Sequence, residues 1–330
     1  SYGNCKHNNA NALPPNVGYR FTIPVLSGLF TQDKLLPLPL LRQDSPITIV
    51  LLMCESAVSG VWTGAPAAGD LKVKNISYNA QLIEVGRDVI EQIKVMRDEM
   101  MGGQLAISGQ DYEHNQGLIP AASTGEQIIR MPSRKRSIKS MFFVMQSSTF
   151  ANGAVGMAED NVYSLSFAGN ANVNKYQLKV GSVVYPPQPV DTFTDQVGEE
   201  LKRGEAIMEL SKALGTLSFK NPSGRLNTIT YCTDIGGIAN GDTGDGAANT
   251  LAPGSGSTTT FCPFGLDTDA FQQTAIEAGV DTQTMSLESN LILEIANGQN
   301  SGLQPKNVHI YIIYDQHYYF NSNGMITFSN

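Results

Sequence analysis

Few residues in this chain are equipped for catalysis. Histidine occurs only as His7, His114, His309 and His317, and a serine or cysteine nucleophile needs one within hydrogen-bond reach. His7 and His114 stand in polar stretches. His309 and His317 bracket a tyrosine-rich run, where a hydrogen-bonded or interfacial histidine is the plainer role. No G-x-S-x-G elbow occurs. The residues for an enzyme are missing, and none is expected.

Metals and cofactors fare no better. There is no H-E-x-x-H and no C-x-x-C among Cys5, Cys54, Cys232 and Cys262. Cys54 ends an apolar run as a buried thiol would. Cys232 and Cys262 flank a Gly-rich loop, where a free pair and a bridge both remain open readings. Within that loop Asn240, Asp242 and Asp245 sit in GIANGDTGDG. Their spacing misses the alternate-residue calcium pattern, and no Glu follows at the bidentate position. Gly241, Gly244 and Gly246 are in the wrong order for G-x-G-x-x-G, and no phosphate-binding loop is present. No cofactor is expected.

One basic cluster stands out: Arg134, Lys135 and Arg136, with Lys139 close behind. Clustered cations can meet lipid head groups or genome phosphates; a solvated turn before a strand is the alternative. The chain as a whole carries a formal charge of −8. That balance does not suit a surface built to coat nucleic acid, and no sequence-specific binding is expected.

Hydrophobic residues make up 41% and charged residues only 16% of the 330 residues, with 32 Gly and 16 Pro. Low charge with many turn formers points to a folded chain of short strands rather than disorder. The length suggests two domains. No apolar stretch reaches the ~18–20 residues of a membrane-spanning helix, and no secretory signal is visible.

The elements follow from periodicity. Residues 1–16 read as a polar arm ending in Pro14-Pro15. Residues 17–24 alternate like a strand. Residues 35–41 (LLPLPLL) hold two prolines and read as a buried irregular segment. The run 47–53 predicts a strand covered on both faces. Residues 71–85 predict a long strand with Val73, Ile76, Tyr78, Leu82, Ile83 and Val85 facing the core. A helix follows, with Asp88 as N-cap, Glu91 completing a capping box and Gly102 as the stop. Further strands are expected at 104–108, 126–131, 137–146 and 176–185, the last ended by Pro186, Pro187 and Pro189. A second helix over 195–214 carries Val197, Leu201, Ile207, Leu210 and Leu214 on one stripe. Strands at 226–232, 258–264, 284–296 and 308–314 lead to a closing hairpin around Asn323-Gly324, a dipeptide suited to a type I′ turn. Residues 234–257, almost free of apolar side chains, form a long loop of the kind that is usually exposed or functional.

Two helices among many strands exclude a parallel α/β sheet, which needs a helix at nearly every crossover. The order of elements repeats, as two similar β domains in tandem would leave it.

Several segments resemble a known family. KLLPLPLL followed by PITIVLLM (residues 34–53), then NISYNAQLIEV (75–85) with a helix after it, resemble the first barrel of double jelly-roll major capsid proteins from tailless icosahedral DNA viruses, bacteriophages among them. RSIKSMFFVMQ (136–146), NKYQLKVGSVVYPPQPV (174–190) and the helix after it are similar to the family's central stretch. HIYIIYDQHYYF (309–320) is similar to its C-terminal strand. The motifs are patterns of strand and turn, spread over most of residues 17–330.

The resemblance implies an all-β protein: two tandem eight-stranded jelly rolls with one short helix inserted in each, at 17–150 and 151–330, after the arm at 1–16. It implies a structural role in the virion, with homotrimers of pseudo-hexagonal outline tiling an icosahedral shell built inside the host cell. Neighbouring capsomers, penton and minor capsid proteins, and in many cases an internal membrane, would be its partners. Arg134, Lys135, Arg136 and Lys139 would face the interior. Asp234, Asn240, Asp242 and Asp245 would lie in an exposed apex loop. Two other roles compete: a minor or vertex capsid protein of the same fold, and a carbohydrate-binding adhesive β-sandwich using exposed aromatics such as Trp62 or the C-terminal tyrosines.

Overall fold

The computed structural model describes residues 27–30, 36–42, 47–50, 75–121, 123–147, 173–192, 203–214, 263–269, 279–283, 288–295 and 306–329. The expected arm, the first strand and the apex loop lie outside them. So do Trp62, His7 and all the cysteines.

Nine strands are described: β1 (Gln104–Ile119), β2 (Gly125–Met131), β3 (Ile138–Ser147), β4 (Val173–Val180), β5 (Val183–Asp191), β6 (Phe264–Asp267), β7 (Ser289–Ile295), β8 (Lys306–Asn321) and β9 (Ile326–Ser329). Helices α1 (Arg87–Val95) and α2 (Arg203–Ala213) complete the set, with a π-turn at Met96–Met100 and a 3₁₀ turn at Leu38–Leu40. The all-β class is therefore observed.

One sheet has the order β1-β8-β3-β6, with β9 added beside β8; the other is β2-β7-β4-β5. The pairs β2–β7, β3–β6, β3–β8, β4–β5, β4–β7 and β8–β9 are all antiparallel. Most consecutive strands cross from sheet to sheet, except that β4 and β5 form a hairpin within one sheet and β9 lies beside β8, and each sheet interleaves early strands with late ones. Eight antiparallel strands wound through two sheets in this way make a jelly roll. The described residues complete one such roll. A second is not among them, and the boundary expected near residue 150 does not separate the strands: β2 pairs with β7, and β3 with β6 and β8. Sequence-adjacent strands look like one domain, yet here they are partnered by strands far along the chain.

The described residues form two compact units, one of residues 112–315, the other of residues up to 111 and from 316 onward. In the first unit, alternate residues of both sheets turn inward: Met141, Phe143 and Met145, with Val308, Ile310 and Ile312, and from the other sheet Leu291, Leu293, Ile295, Tyr176 and Leu178. Phe143 meets Tyr176 edge-on at 5.2 Å and stacks on Phe264 at 5.0 Å. The Tyr176 hydroxyl donates to the Gly265 carbonyl at 3.1 Å, so its polar end is satisfied. Helix α2 seals this core with Ala206, Ile207 and Leu210. Gly265 permits its approach, because a Cβ there would lie 3.0 Å from the Leu210 Cα and 3.1 Å from the Ala213 Cβ. Leu214, expected on the buried stripe, is exposed.

Bulges tune the register. Val173 and Tyr176 are three residues apart and would face opposite sides of a regular strand, yet both are buried. The register of β4 against β7 shifts between Val173 and Lys175, which restores the phase. On β3 the same device lies between Ile138 and Ser140 and leaves Lys139 as the additional residue.

Several expectations need correction. Residues 176–185 are not one strand but a hairpin, turning at Gly181 with φ +60°. The prolines then fall in β5, an edge strand where no second ladder requires their missing N–H. The closing turn is not type I′. Only Gly324 has positive φ, Gly324 N–H donates to Asn321 O, and Asn321 N–H to Met325 O. This is a three-residue loop with a left-handed glycine.

In the second unit, Asp88 is not the N-cap. Gly86 holds that position, with Asp88 in the first turn, where a carboxylate still favours the helix dipole. Gly102 (φ +66°) does stop the helical segment. A small core gathers Leu40, Ile107, Tyr318 and Phe320, with Ile93 and Ile326 packed against it. Residues 47–50 and 75–86 form no strand, and Ile76, Tyr78, Leu82, Ile83 and Val85 are exposed rather than buried. Alternation there marks apolar surface, not core.

Candidate functional site

The basic cluster is divided between surface and interior. Residues 132–137 link β2 to β3, and there Arg134 and Arg136 are exposed. Lys135 turns the other way. Its ammonium lies 3.2 Å from Glu113 and 3.9 Å above the Tyr314 ring, so its charge is matched by a carboxylate and a π face.

Lys139 departs furthest from the expected patch. The bulge carries it to a site where only 4% of its side chain is exposed, and Nζ lies 2.8 Å from Asp269 Oδ2 and 3.4 Å from Asp315 Oδ2. Asp315 also accepts from Ser137 Oγ at 2.7 Å. Burial pushes the Asp315 carboxyl above its ordinary value and the Asp269 charge adds to that, while the Ser137 hydrogen bond and Lys139 oppose it. A cation among two carboxylates is an ion triad, not a surface for phosphate.

The histidines are placed by β1 and β8. His114 Nε2 and His309 Nδ1 are 3.1 Å apart, and Tyr311 stacks on His114 at 4.9 Å. Such a contact needs one proton between two nitrogens, which a doubly charged pair cannot provide. Burial, then the charge of His114, lowers the His309 pKa from 6.5. A lowered folded-state pKa means that stability is present above pH 6.5 and lost as the pH falls through the folded value. Denaturant titrations at about pH 8 and about pH 5 should show that acid loss in the native chain and a smaller one in His309→Gln. Equal losses in both chains would contradict the assignment.

His317 Nδ1 lies 2.9 Å from Ser108 Oγ. Asp111, on the same strand as Ser108, accepts from Gly28 N–H at 3.2 Å and from the Tyr318 hydroxyl at 3.4 Å. Among the described residues no three His, Cys, Asp or Glu side chains gather as a metal site, and no helix is long and apolar enough to cross a membrane. Asp234, Asn240, Asp242 and Asp245 lie outside the described residues. Spacing alone could not reveal the Lys139 triad, because its acids come from residues far along the chain.

No family model matches the sequence, and no curated protein does. Among solved structures, the chain is similar to PBCV-1 VP54 as fitted into a reconstruction of the virophage Sputnik, at 9% identity and a TM-score of 0.35, covering 71% of this chain and 53% of that one. It is similar to the Faustovirus major capsid protein at 6% identity and 0.38, covering 71% and 36%. The mavirus major capsid protein matches at 8% and 0.30, covering 69% and 41%. The chain thus spans about half the length of these proteins or less.

Proposed function

We propose that this protein is a viral capsid protein, a structural subunit whose sides are covered by copies of itself. The observation that carries this reading is the two-sheet winding β1-β8-β3-β6 against β2-β7-β4-β5, joined to large apolar side chains left exposed. Outside the core, Leu118, Ile128 and Val183 are each at least half exposed, as are Ile76, Tyr78, Leu82 and Ile83. Scattered apolar residues are ordinary on a monomer; runs of them mark surfaces awaiting partners. Low overall charge makes covering such surfaces cheap.

The finer reading is a major capsid protein forming homotrimers that tile an icosahedral shell with penton and minor proteins. A six-sided trimer needs two rolls per chain, so particle outline also reports on the second roll. Negative-stain microscopy of concentrated protein should show hexagonal arrays or shells. Pentamers would favour a vertex role, and a monomer with clear glycan-array hits would favour the adhesive sandwich.

Arg134 and Arg136, the exposed pair, are proposed to line the interior and meet lipid head groups or genome phosphates. Reversing both charges should lower the lipid or nucleic acid content of particles. Unchanged content would remove that role.

A further inference from the structure

The Lys139 cluster holds both reactants of a condensation, kept away from water. We propose that Lys139 and Asp269 become joined by an intramolecular amide, a self-formed cross-link between the β3 bulge and the segment after β6. The inference does not depend on the shell reading.

Three observations support it. Amine and carboxylate already touch at 2.8 Å, with 4% and 0% of their side chains exposed. Contact of this kind supplies the proximity that makes a slow bimolecular step effectively unimolecular. The step begins with a proton passing from the ammonium to Asp269 across that contact, which leaves a nucleophilic amine beside a carboxylic acid. The third group is Asp315, whose Oδ2 is 3.4 Å from Nζ and fixed by the Ser137 hydroxyl at 2.7 Å. Burial raises the pKa of that carboxyl, which suits it to hold a proton, polarise the Asp269 carbonyl and relay protons to the leaving hydroxyl.

The step balances without oxidant or reductant. Lys139 Nζ bonds to Asp269 Cγ, one C–O bond of Asp269 breaks, and the oxygen leaves as water with two protons from the amine and acid. Asp315 ends as it began. Two buried charges vanish, which removes their desolvation cost. The new amide keeps one N–H on Nζ, the atom that faces Asp315. The link joins positions 130 residues apart and would shrink the unfolded ensemble as a long-loop disulfide does.

The test is mass spectrometry of the purified full-length chain, denatured after prolonged incubation at neutral pH. The expected mass is one water, about 18 Da, below that of the sequence, and a tryptic digest should yield the Lys139 peptide joined to the Asp269 peptide. Asp315→Ala, checked for folding by circular dichroism, should keep the full mass. A native chain at full mass, with trypsin cleaving after Lys139, would overturn the proposal. Water loss mapped to any other pair would do the same.

Discussion

Measured against the native chain still at full mass, before the Lys139–Asp269 amide has formed, replacing Lys139 with Ala should lower the unfolding free energy by about 3–5 kcal/mol, the usual cost of removing one partner from a buried ion pair. The side chain is 4% exposed and faces Asp269 at 2.8 Å and Asp315 at 3.4 Å. Without the ammonium, two buried carboxylates are left to repel each other. The charge matters more than the lost packing, so Lys139→Arg should retain more stability than Lys139→Met. Urea denaturation midpoints with slopes held comparable would measure this. A loss below about 1 kcal/mol would mean the ammonium is solvated rather than paired.

Phe143→Ala is expected to cost a similar amount, about 3–5 kcal/mol, for a different reason. Phe143 is fully buried between Tyr176 and Phe264, joining the two sheets. Truncation removes both ring contacts and leaves a void that neighbours fixed by two ladders cannot close. Phe143→Leu should recover most of the loss, because volume is better conserved. The exposed Tyr311 on the partner strand offers the control: Tyr311→Ala should change monomer stability far less. Near-equal losses for Phe143→Ala and Tyr311→Ala would place the core elsewhere.

What the sequence revealed followed the periodicity of buried strands. Val308, Ile310, Ile312 and Tyr314 alternate without interruption and are all buried as expected. The run 126–131 likewise became β2. Ile207 and Leu210 were legible as a helix stripe. Periodicity failed where one extra residue shifts the phase. Lys139 sits in a bulge that no local pattern announces, so a chain of cations read as a patch when its last member was core. It failed again at 75–85, where alternating apolar residues are as consistent with a face awaiting a partner as with a buried one. The pairing of β2 with β7 and of β3 with β8 joins segments too distant for periodicity to connect. That is why a tandem boundary near residue 150 looked natural.

Light scattering coupled to size-exclusion chromatography, on the purified chain over a range of concentrations, addresses the subunit reading head-on. A stable mass of three chains is the predicted result. A single 35.5 kDa chain that persists at the highest concentrations would contradict it, because the exposed apolar faces would then have no copies to cover them.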